Sequence, residues 1–228
     1  MFSSNGMNAL FLPMLRFQLF GFPILIQWMF WLNTALLGGA IGASTPAEMR
    51  ALVAFMIAAF FSVLIHELGH ALVMRSFGDR RVGIVLYAFG GFAQGSQRFT
   101  RGQDILLTAA GPGLQIAAGL AVHFLLEILE PSISWFTYLA AQFVFVSIFW
   151  AILNLVPIVP LDGGRLCAGI TGRPKLALRI SFVTAVVLAA GFLYLGYGWI
   201  TPIFFGMLAY NNWKQLQGEP QIPWMDAR

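Results

Sequence analysis

The chain has 228 residues, of which 59% are hydrophobic and 10% charged. A soluble globular domain is nearer half apolar and a quarter charged, so this composition excludes an ordinary soluble fold and predicts a polytopic, all-α membrane protein. The net charge of +4 does not imply a nucleic-acid partner, because the basic residues lie between apolar segments and form no basic–aromatic patch.

Taken in order, residues 1–8 read as a loose tail, and residues 1–20 carry neither the basic head nor the small-residue cleavage site of a removable signal. Residues 16–27 are rich in β-branched and aromatic side chains and are interrupted by Gly21 and Pro23, which predicts extended backbone. Six apolar spans follow, over 28–43, 50–75, 104–129, 135–156, 176–195 and 199–213. The last is short for a hydrocarbon layer of about 30 Å. Between the second and third spans, residues 81–87 read as a strand, Gly90-Gly91 as its turn and 92–97 as an antiparallel return. The expected fold is therefore about six helices with a small membrane-associated β-sheet from 16–27 and 82–97. It forms one membrane-embedded domain over 1–213, followed by an exposed tail over 214–228. Cys167 is the single cysteine, so no intrachain disulfide forms.

Charge placement orients these spans. With the amino end cytoplasmic, Arg50 is the sole outer member of the 13 Lys and Arg, and Glu127 and Glu130 mark an outer loop. Basic residues favour the cytoplasmic side, so both termini of this multi-pass protein are expected there. A prokaryotic cell membrane is the expected location, with an organelle membrane left open.

The second span contains His66-Glu67-Leu68-Gly69-His70. On a helix the two histidines lie one turn apart on one face and can share a metal ion, and Glu67 can reach a water bound to it. An ionisable group in the bilayer costs about 2.5–3.5 kcal/mol. A structural zinc ion is worth about 10–16 kcal/mol, enough to offset several. A catalytic zinc takes three protein ligands and leaves one position open. At 1.5 Å per residue, His70 lies about 7 Å and His66 about 13 Å from the cytoplasmic end of the helix. Gln115, at about 16 Å along the third span, is at a depth comparable with His66. His123, about 28 Å along the same span, is too far and reads as a buried structural histidine. Asp104 reads as the cap and dipole partner of a helix start. Asp162 is left as the third ligand: two prolines break the fourth span before it, and Gly163-Gly164 free the backbone after it. A solvated aspartate in a helix-terminating loop is the alternative reading of that stretch.

These residues resemble the site-2 protease family of intramembrane zinc metalloproteases, which pairs H-E-x-x-H on one span with a later Asn-x-x-Pro…Leu-Asp-Gly pattern. Here Asn154-Leu155-Val156-Pro157 and Leu161-Asp162-Gly163 supply the second part. The resemblance implies that His66, His70 and Asp162 bind zinc, that Glu67 is the catalytic acid/base, and that Asn154 orients substrate or stabilises the oxyanion. Phe89-Gly90-Gly91-Phe92 is similar to the family's membrane-associated hairpin, so Gly90, Gly91 and Phe92 are expected to bind substrate. The implied partners are a transmembrane protein substrate and membrane lipid; homo-oligomerisation is left open. Many relatives carry an added peptide-binding or nucleotide-sensing domain, for which this chain has no room. A catalytically inactive metal- or substrate-binding protein of the same fold is the competing reading, and it predicts loss of the base that Glu67 retains. A metal transporter would distribute polar groups across the membrane, whereas here they cluster toward one face.

Overall fold

A computed structural model describes residues 13–88, 90–129, 132, 134–196 and 198–218. The expected tail at residues 1–8, Phe89, Glu130 and most of the carboxyl tail lie outside the described residues. The chain divides into two units, Met1–Gln97 with Gly113–Trp150, and Arg98–Pro112 with Ala151–Arg228.

The first unit opens with a four-stranded sheet in the order β1-β2-β3-β4. The expected single extended segment is a hairpin, β1 (Pro13–Leu19) and β2 (Phe22–Gln27). Its two turn residues both have positive φ, Phe20 at 50° and Gly21 at 76°, the backbone that lets a two-residue turn match the strand twist. β2 buries Phe22, Ile24 and Ile26 along one face. It pairs in parallel with β3 (Gly83–Tyr87), which pairs antiparallel with β4 (Gly90–Gln94). Gly90 and Gly91 were expected to make the turn, but they begin β4 and stand opposite Tyr87 and Leu86.

Helix α1 (Trp28–Leu37) follows and is ten residues long. The expected span over 28–43 ends early at Gly38, where a Cβ would lie 2.8 Å from both Leu52 and Phe55, and at Gly39, whose φ is +89°. Helix α2 (Pro46–Ser76) has 31 residues. Thr45 and Glu48 form a reciprocal capping box at its start, with Pro46 in the first turn. At its end Arg75 donates to the Phe20 carbonyl at 2.7 Å and lies 3.4 Å over the Phe22 ring, which fastens the helix to the first hairpin.

The link from α2 to the sheet turns on Asp79, which is fully buried. Its carboxylate accepts from Arg81 N at 3.0 Å, Gln97 N at 2.9 Å, and the Ser96 backbone N–H and hydroxyl. Burial alone would raise its pKa. The bonds from Arg81, Gln97 and Ser96 outweigh that and hold it below the ordinary carboxylate value. A carboxyl whose folded pKa lies below its unfolded one stabilises the fold above the unfolded value of about 3.9, and this contribution is lost as pH falls through the folded value. Asp79→Asn is expected to cost about 1–3 kcal/mol, as buried donors lose a charged acceptor. It should also flatten the acid limb of a thermal-midpoint-against-pH profile; an unchanged profile would show that Asp79 does not set it.

Helices α3 (Arg101–Leu129) and α4 (Trp135–Leu155) each run through both units. The start of α3 is capped by Thr100 and Gln103, whose Oε1 accepts from Thr100 N at 2.9 Å. Asp104, expected to be the cap and dipole partner, lies in the first turn, where it can complement the dipole, while the capping falls to Thr100 and Gln103; it receives Arg165 at 2.9 Å. In the second unit α5 (Asp162–Thr171) is a helix where a glycine-loosened loop was expected. Gly163 and Gly164 are not there for flexibility. A Cβ on either would strike the backbone of residues 155–156 or 158–159, so the helix packs directly on the turn before it. Arg101 donates to the Gly169 and Ile170 carbonyls at 2.6 and 2.7 Å, closing the other end of α5. Helices α6 (Pro174–Tyr194) and α7 (Ile200–Leu216) pack around Ala185, Phe205, Leu208 and Ala209.

Among the described residues four helices, α2, α3, α4 and α6, are long and apolar enough to cross a membrane. The six expected spans are thus met by four; α1 has ten residues and α7 seventeen, about 15 and 26 Å of helix.

Candidate metal centre

Helix α2 places His66 and His70 one turn apart, both buried. Their Nε2 atoms face each other at 3.1 Å. Two nitrogens bound at about 2.0–2.1 Å to a tetrahedral metal lie roughly 3.3 Å apart, so this spacing suits two ligands of one ion. The tautomer of His66 points the same way. Its Nδ1 lies 2.9 Å from Gln115 Oε1, an oxygen that can only accept, so Nδ1 carries the proton and Nε2 is the unprotonated nitrogen, the one that can coordinate a cation.

Gln115, fully buried on α3, is itself fixed: its Nε2 donates to Ser62 Oγ at 2.7 Å, and Ser147 Oγ on α4 donates to the same hydroxyl at 3.1 Å. Ser62 lies one turn before His66. Three helices of the first unit thus converge on one imidazole through a buried polar chain. Sequence reasoning matched the depth of Gln115 to His66 without assigning the contact, and it missed Ser62 and Ser147. A polar residue four positions before the first histidine was the available signal. Gln115→Leu keeps the volume and removes the acceptor. It is expected to weaken metal binding about 10–100-fold in a competitive chelator titration, and unchanged affinity would exclude this second layer.

Glu67 is 4% exposed. It lies against β4: a Cβ on Gly91 would sit 2.6 Å from Glu67 Cγ and 2.9 Å from its Oε1. Glycine at 91 is therefore required by the approach of the strand to the acid. β4 is an edge strand of the sheet, and Glu67 lies against it at Gly91.

Of the predicted site residues, the first unit brings together His66, Glu67, His70 and Gly91. Asp162 and Asn154 belong to the second unit. Asp162 is 4% exposed and opens α5. The strand of chain before it is pinned at Val159, whose N donates to Ser181 Oγ at 2.5 Å and whose O accepts from Asn212 Nδ2 at 2.9 Å. Asn154 is half-buried on the last turn of α4. His123, expected to be buried, is exposed at the far end of α3. It lies 3.4 Å from Glu127 one turn on, a pairing at the helix end where the core does not reach.

No family model matches the chain. It is 25% identical over 169 residues to a zinc metalloprotease of Methanocaldococcus jannaschii, an alignment covering 74% of this chain and 48% of that one. It is 33% identical over 157 residues to Rip3 of Mycobacterium tuberculosis, assigned by name to the zinc metalloproteases, covering 63% and 38%. In fold it matches the site-2 protease of Methanocaldococcus jannaschii with a TM-score of 0.63 and 22% identity, over 89% of this chain and 94% of that one. The chain has the fold of that site-2 protease. The match of fold extends over nearly all of both chains. Against the two sequence relatives, it spans less than half of their length.

Proposed function

We propose that the protein is an intramembrane zinc metalloprotease. It hydrolyses a peptide bond within or near the transmembrane segment of a membrane-protein substrate and releases a cytoplasmic fragment. His66, His70 and Asp162 hold one zinc ion; all three are buried and each offers one donor atom. Two imidazoles and a carboxylate are a donor set of catalytic zinc, and the similarity to zinc metalloproteases supports that metal. The observation that carries the reading is the placement of Glu67, buried one residue from His66 and pressed against an edge strand.

Bound zinc supplies Lewis acidity, making water a competent nucleophile near neutral pH and polarising a carbonyl. Glu67 takes the proton of the attacking water and passes it to the leaving amine. Asn154 donates a hydrogen bond to the oxygen on which charge develops. A helical substrate hides its peptide bonds in its own hydrogen bonds, so it unwinds locally and pairs with the outer edge of β4 at Gly90, Gly91 and Phe92. Membrane lipid surrounds the four apolar helices, and both termini lie in the cytoplasm of a prokaryotic cell. The distribution of Lys and Arg and the bacterial and archaeal relatives support that placement.

The test is metal removal. A zinc chelator is expected to stop cleavage of a single-span test substrate in detergent or vesicles, and one equivalent of zinc should restore it. Full cleavage by the metal-free protein would overturn the reading.

A further inference from the structure

The first unit contains a cavity of about 230 Å³ that is apolar except at one place. Phe55, Ala59 and Val63 line it from α2, Phe149 from α4, Gly90 from β4 and Asn33 from α1. Residues 55, 59 and 63 step along α2 at intervals of four, and the next step is Glu67. Gly90 precedes Gly91, the glycine pressed on the Glu67 side chain. Both borders of the cavity therefore lead to the proposed general base. The polar exception is Asn33. The neighbouring Thr34 hydroxyl is satisfied by the Phe30 carbonyl at 2.9 Å, whereas the half-buried Asn33 amide has no hydrogen-bond partner among the described residues. A helix side chain in apolar surroundings normally finds one.

We infer that this cavity is the subsite for the substrate side chain adjacent to the scissile bond, that it takes a large aromatic side chain, and that Asn33 selects tyrosine by bonding its hydroxyl. The inference rests on the peptidase reading. A substrate strand paired with β4 puts the bond opposite Gly91 beside Glu67, and the residue next to it opposite Gly90, at the cavity mouth. An aromatic ring matches walls built from phenylalanine. Phenylalanine in that place leaves the amide unpaired, whereas tyrosine satisfies it.

Single-span test substrates differing only at that residue provide the assay. Wild-type protein is expected to cleave them with kcat/KM in the order Tyr, Phe, Ala, with roughly tenfold between Tyr and Phe. Asn33→Leu should bring Tyr and Phe to within about twofold, and Ala59→Phe, which fills the cavity, should place Ala first. Because a filled cavity can disturb folding, binding is read separately. In Glu67→Gln protein, a substrate carrying a diazirine-bearing phenylalanine at the same residue should cross-link to α1, α2 or α4 around the cavity. Unchanged ratios in both variants, with cross-links elsewhere in the protein or only to lipid, would overturn the subsite and leave the peptidase reading intact. Cross-links at the cavity without cleavage by wild-type protein would uphold the subsite and count against peptidase activity. No cleavage and no cavity cross-link would overturn both.

Discussion

Glu67→Gln is expected to lower the rate of substrate cleavage by about 10²–10⁴-fold while zinc content stays at one per chain. At 1.36 kcal/mol per tenfold, the loss corresponds to about 2.7–5.4 kcal/mol of transition-state stabilisation. The substitution suits the question because the amide matches the carboxylate in shape. It fits against Gly91, where the clearance is too small for any larger group, and it removes only the capacity to accept and return a proton. Glu67 is not one of the proposed ligands, so metal content separates a lost base from a lost site. Cleavage within threefold of wild type would mean that another group takes the proton.

Asp162→Asn is expected to have a comparable effect on cleavage through a different route, with zinc falling well below one equivalent after dialysis against a mild chelator. The competing reading of Asp162 is a helix-start acid that complements the dipole of α5, a contribution of about 0.3–1 kcal/mol to stability. Asparagine serves a helix start nearly as well as aspartate but is a poor zinc ligand. Retained zinc with a small loss of stability would therefore assign Asp162 to the helix alone. Metal analysis paired with a thermal melt decides between them. The grip of Ser181 and Asn212 on Val159 leads directly into this residue, so Ser181→Ala should give a weaker form of the same zinc loss.

The parts of the fold that could be read from sequence are those set by local rules. The four long apolar helices, the strands around 83–94 and the H-E-x-x-H pair follow from hydropathy, periodicity and spacing. The parts that could not be read depend on distant partners. The parallel pairing of β2 with β3 joins segments about 60 residues apart, and no local pattern encodes it. Helix α1 ends at Gly38-Gly39, where Leu52 and Phe55 of α2 leave no room for a side chain at 38 and Gly39 turns to a φ of +89°, which an apolar count through 28–43 does not register. At Gly163-Gly164 the same residue type carries two meanings. Glycine after proline suggested freedom, whereas here it permits a close backbone approach inside a helix. His123 misled for a related reason: an isolated histidine in an apolar span was read as buried, but its position at the end of α3 exposes it to Glu127. At the candidate site, the histidines and the acid were legible from spacing alone. The Gln115–Ser62–Ser147 chain was not, because it joins three helices.

The most direct test of an intramembrane zinc metalloprotease is mass-spectrometric mapping of the fragments that purified, zinc-loaded protein makes from a single-span substrate in vesicles. The account predicts one principal cut within or at the edge of the hydrophobic segment, made by wild type and absent with Glu67→Gln. A substrate left intact by fully zinc-loaded wild type, or cuts confined to its soluble flanks, would contradict it.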